Sequence, residues 1–171
     1  MKHLILFLIV NTFAIATTKV EEMRLDRRWG FGASAGGQLS MMGVETDVNV
    51  NEAFSISAGL GTGVDYATNM LKFKYYVSGQ WVSPFIALAV ARWWTENSLE
   101  PGVRPSVLAN KFLDPKDNLK NGFDIWLLSP SFGVQFMHST GMSFYFELEY
   151  LFKLPNFAHG TYAGGGLLWY F

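Results

Sequence analysis

The chain has 171 residues, no cysteine, a formal net charge of -1, and a composition that is half hydrophobic and 16% aromatic. That length suits one domain, the missing thiols exclude a disulfide framework or thiolate metal site, and the charge excludes the basic footprint of a nucleic-acid binder. No apolar run reaches the roughly 18–20 residues of a membrane-spanning helix, which leaves so hydrophobic a chain one other way to enter a bilayer: a closed β-barrel that satisfies its backbone by strand pairing.

Residues 1–16 read as a cleaved signal peptide. Lys2 supplies the positive start, Leu4 to Val10 the apolar stretch, and Ala14-Ile15-Ala16 the A-x-A site, so the mature chain is expected to begin at Thr17. Residues 17–28 carry Lys19, Glu21, Glu22, Arg24, Asp26, Arg27 and Arg28 and are expected to form a charged, solvated periplasmic segment. From Trp29 onward the pattern alternates with period two. The expected strands are Trp29 to Gln38, Val44 to Val50, Ala53 to Gly61, Met70 to Val77, Phe85 to Thr95, Ile125 to Phe136, Phe144 to Leu154 and Tyr162 to Phe171. The strand from Phe144 is the clearest: Phe144, Phe146, Leu148, Tyr150 and Phe152 alternate with Tyr145, Glu147, Glu149, Leu151 and Lys153. Phe85 to Thr95 is apolar up to Arg92, so its facing stays open.

Side-chain size decides which face points outward. The interior of an eight-stranded barrel is just wide enough to be filled by side chains. Rows of Phe, Tyr, Trp and Leu exceed that space, whereas the opposite rows of Gly and Ser with a few charges fit it. The bulky face is therefore expected to meet lipid and the small face to line the lumen. Short links at residues 51–52, 78–83 and 138–141 alternate with links at 39–43, 62–69, 96–122 and 155–160, the first set being periplasmic and the second external. Trp29, Phe54, Trp81, Phe85, Phe136, Trp169 and Phe171 would form the periplasmic aromatic girdle, and Trp93, Trp94, Trp126 and Phe152 the outer one.

The ending Leu167-Leu168-Trp169-Tyr170-Phe171 resembles the last strand of outer-membrane proteins, which the barrel-assembly machinery reads, with Phe171 as the signal. Residues 29–171 resemble the small OmpA/OmpX-type barrels in size and layout. That resemblance implies an all-β, eight-stranded, antiparallel up-and-down transmembrane barrel in a bacterial outer membrane, in contact with lipid and lipopolysaccharide and expected as a monomer. It leaves function open among structural anchors, adhesins, lipid A enzymes and narrow pores.

The expected lumen charges are Glu45, Asp47, Glu147 and Glu149 against Lys72, Lys74 and Lys153; the balance is complete if Arg92 joins them. Unpaired charge in so narrow a space is costly, so the groups are expected to pair, with Lys72 and Lys74 serving Glu147 and Glu149. A rigid ion-pair plug is the expected outcome, and a gate that passes small ions the alternative. Residues 96–122 form the candidate site for an external ligand. For a lipid A-modifying enzyme, His138 lies in an expected turn and His159 near no evident nucleophile and acid, so no catalytic role is expected. No metal-ligand spacing or cofactor motif is present in the sequence.

Overall fold

Alternation of side chains is what the backbone follows. In the computed structural model, which describes residues 19–77, 81–95, 112–113, 122–154 and 157–171, a helix α1 (Lys19–Asp26) precedes eight strands. These are β1 (Trp29–Gly36), β2 (Met42–Asn49), β3 (Phe54–Thr62), β4 (Ala67–Tyr76), β5 (Val82–Thr95), β6 (Phe123–Met137), β7 (Met142–Leu154) and β8 (His159–Tyr170). Every neighbouring pair is antiparallel, and β1 closes on β8 with Gly30 opposite Tyr170 and Gly36 opposite Gly164, giving a closed up-and-down barrel. Both chain ends of the barrel lie at one rim, called here the terminal rim; the other is the loop rim. The leader and most of residues 96–122 lie outside the described residues.

The facing follows the size rule. Phe31, Leu71, Phe73, Ile86, Leu88, Phe132, Phe144, Phe146 and Leu167 are exposed on the outer wall, while Ser55, Ser57, Ser129, Ser131 and the charged residues are buried inside. Trp29, Trp81, Trp126 and Trp169 are all exposed.

Strand β5 departs from expectation at three residues. Arg92 points outward, not into the lumen: it pairs across the strands with Trp126, and its guanidinium forms two hydrogen bonds with Asp124 at 2.9 and 2.7 Å. Strict alternation then turns its neighbour Trp93 inward, where it is 0% exposed, and Phe85 is buried inside in the same way. Phe85 therefore leaves the periplasmic girdle expected of it and Trp93 the outer one, and of the two adjacent tryptophans only Trp94 points outward. In an all-apolar run, the facing is set by register with β4 and β6 and not by hydrophobicity, which is why the pattern left it open.

The first strand also ends early. Gly36 and Gly37 adopt positive φ of 85° and 53°. This turns residues 37–39 into a 3-10 turn folded into the lumen, with Gln38 and Leu39 buried. Glycine opposite that turn makes room for it. A Cβ at Gly59 would lie 2.8 Å from the Leu39 Cδ1 atom, closer than side chains pack.

Candidate functional site

The lumen is filled in three tiers. At the loop rim Leu39, Tyr66, Met70, Trp93, Ile125, Leu127 and Leu151 form an apolar cluster. Phe112, from the long outer link, enters it edge-on against Trp93, with ring centroids 5.9 Å apart. Trp93 Nε1 donates to the carbonyl of Gln38 at 2.7 Å, which ties the in-folded turn to β5.

The middle tier is the charge network. Lys74 Nζ donates to Asp47 at 3.0 Å and to Glu45 at 3.4 Å. Tyr170 Oη donates to Asp47 at 2.5 Å, Ser57 Oγ donates to it at 3.1 Å, and Tyr145 Oη donates to Glu45. Lys72 Nζ pairs with Glu147, whose other oxygen accepts from Ser131 Oγ at 3.0 Å. The partners thus differ from expectation in one respect: Lys72 serves Glu147, but Lys74 serves the acids of β2 and not those of β7. Glu149 accepts the backbone N–H of Gln38 at 3.0 Å and forms no ion pair among the described residues. Lys153 reaches toward the loop rim, donating to the carbonyl of Phe112 at 2.6 Å. Between Lys72, Glu147, Glu149 and Tyr145 remains an interior space of only about 10 Å³, room for one water molecule.

Gly37 is a stress point of this tier. Its φ is 53°, and a Cβ there would lie 2.0 Å from Glu149 Oε1. Gly37→Ala is expected to lose about 1–2 kcal/mol from the left-handed backbone alone, read as a lower unfolding midpoint in urea. The same substitution at Gly32, where φ is not positive, tests the other cost, since a Cβ there meets the Leu167 carbonyl at 1.9 Å.

The terminal tier contains Tyr76, Phe85, Met137, Tyr145, Leu168 and Tyr170, joined by Val20 of α1. Here the expectation of a solvated segment fails: α1 caps this mouth. Arg24 is 1% exposed, and it brings a fourth buried cation to the lumen in place of Arg92. The acids Glu45, Asp47, Glu147 and Glu149 are thereby matched in number by Lys72, Lys74, Lys153 and Arg24, all buried. The sequence does hold a signal for this. Val20, Met23, Arg24 and Arg27 recur at helical spacing on one face, but the density of charge hides it.

The histidines have local roles. His138 Nδ1 lies 3.0 Å from Thr140 Oγ1 within its turn, and His159 Nδ1 lies 2.6 Å from Tyr150 Oη on the outer wall. Among the described residues no cluster of His, Asp and Glu has the makings of a metal site.

No family model and no curated protein matches the sequence. Among solved structures, the chain is similar to the N-terminal β-barrel domain of Pseudomonas aeruginosa OprF. The TM-score is 0.59 at 9% identity, covering 84% of this chain and 98% of that one. At that identity the likeness is one of backbone alone, and it gives this chain the fold of the OmpA-type eight-stranded up-and-down barrels.

Proposed function

We propose that this chain is a small integral outer-membrane barrel with a structural or surface-interaction role, its lumen closed and not conducting. One observation carries the reading: the barrel is inverted relative to a soluble protein. Four acids and four cations are buried in its lumen, bound into a hydrogen-bond and ion-pair network, and its large apolar side chains are exposed on the outer wall. In water that outer wall would be an aggregation surface far larger than monomeric proteins tolerate; in a bilayer it is the solvent-matched face. The terminal rim then lies in the periplasm and the loop rim outside the cell. The three filled tiers argue for the closed state, and the candidate for surface contacts is the long link 96–122, of which Phe112 and Leu113 pack on the loop-rim cluster. No catalytic role is proposed for His138 or His159.

A depth scan of the outer wall tests the embedding. Leu88 lies near the middle of β5, and Ala67 at the loop-rim end of β4. Leu88→Arg is expected to cost about 2–4 kcal/mol of folding free energy in lipid vesicles, against about 0–1 for Ala67→Arg. Equal and small costs at both positions would contradict a membrane location.

A further inference from the structure

We propose that the terminal mouth of the barrel contains a guanidinium-binding site, occupied in cis by Arg24, and that this site is what holds α1 as a plug. The guanidinium carbon of Arg24 stands over the face of the Tyr76 ring, 3.5 Å from its centroid. One terminal nitrogen donates to the Glu52 carbonyl at 3.1 Å, and the other lies 3.4 Å from Gln135 Oε1. Gln135 is itself fixed, its amide nitrogen donating to Ser143 Oγ at 2.8 Å and to Tyr170 Oη at 3.1 Å. Asp47, which accepts from Tyr170, adds electrostatic attraction. A ring face with two acceptors spread at its edge suits a planar fork. An ammonium, compact and strongly hydrated, has neither the planar fork that spans two separated acceptors nor a flat face to lie on the ring.

The plug depends on this site because so short a helix needs every anchor it has. A helix of eight residues is too short to persist alone, since isolated helices below about 12–15 residues are marginal in water. Only one face of it docks. Val20 and Met23 pack on the terminal cluster, Arg27 donates to the Thr140 carbonyl at 2.8 Å and the Tyr170 carbonyl at 3.4 Å, and Asn49 donates to the Arg27 carbonyl at 3.0 Å, while Glu22, Leu25 and Asp26 are exposed. The ligand class of the mouth is therefore a guanidinium group, and Arg24 is its resident.

Chemical rescue tests this on the folded barrel. Glutamyl endopeptidase cleaves after Glu21 and Glu22 only when α1 leaves the mouth, and mass analysis separates this cut from any at Glu52. Arg24→Ala is expected to speed the cut about tenfold or more, the loss of charge-assisted hydrogen bonds. Millimolar ethylguanidinium is expected to restore protection and ethylammonium to leave it open. Arg24→Lys is expected to behave like Arg24→Ala, and it carries the same test should the alanine variant fail to fold, as judged by heat-modifiable migration. Unchanged cleavage in both variants would overturn the anchor. Rescue by both cations, or by neither, would overturn the guanidinium site.

Discussion

Glu147→Ala is expected to destabilise the folded barrel by about 3–5 kcal/mol, the cost of leaving one member of a buried ion pair without its partner. Lys72 would keep its charge at 2% exposure, with no other carboxylate within ion-pair distance among the described residues, and Ser131 would lose its acceptor. The double variant Lys72→Met with Glu147→Leu removes both charges and refills their volume. It is expected to recover most of that loss, since apolar replacement of a buried pair is often neutral or stabilising. The measurement is reversible urea unfolding in lipid vesicles. A double variant as unstable as the single one would show that the pair does more than balance charge. The same comparison separates the two lysines: Lys74→Met with Glu147→Leu leaves Asp47, Glu45 and Lys72 each without its ion-pair partner and is expected to be the less stable double variant.

Trp93→Ala is expected to be comparably costly, about 3–5 kcal/mol, as for large aromatic side chains removed from a packed core. Trp93 is fully buried, touches Tyr66 and Phe112 with ring centroids 5.5 and 5.9 Å away, and holds the in-folded turn through the Gln38 carbonyl. Its loss empties the loop-rim tier and frees the turn together. Trp126→Ala, on the outer wall and half exposed, is the matched control and is expected to cost much less. Equal costs would mean that Trp93 packs against lipid and not inside the barrel.

These residues also show how far the sequence could be read. The eight strands, their order and the facing of seven of them follow from period-two alternation and the size of the two faces. The OprF-like fold agrees with that reading. The facing of β5 did not follow, because a strand apolar on both faces carries no binary pattern; only Arg92 and the hydrogen-bond register distinguish its sides. The acids and lysines of the lumen were legible individually, but their pairing depends on the stagger between β2, β4 and β7, which no single strand encodes. Tyr145 and Tyr170 were missed as lumen groups, although both stand on the small-residue face in the alternation and a buried hydroxyl needs a partner. Gln38 and Arg24 were hidden for different reasons. Gln38 enters the lumen because two consecutive glycines turn the chain at the end of β1, where alternation suggested further strand. Arg24 lies on a helix whose charges resemble those of a solvated tail.

The central claim is a lumen closed by paired charge between two packed tiers, and single-channel conductance of the refolded protein in a planar bilayer tests it most directly. Silence is expected, with heat-modifiable migration confirming that the barrel has folded. A reproducible conductance that changes with Glu147→Gln would contradict the account and make the same charges a gate.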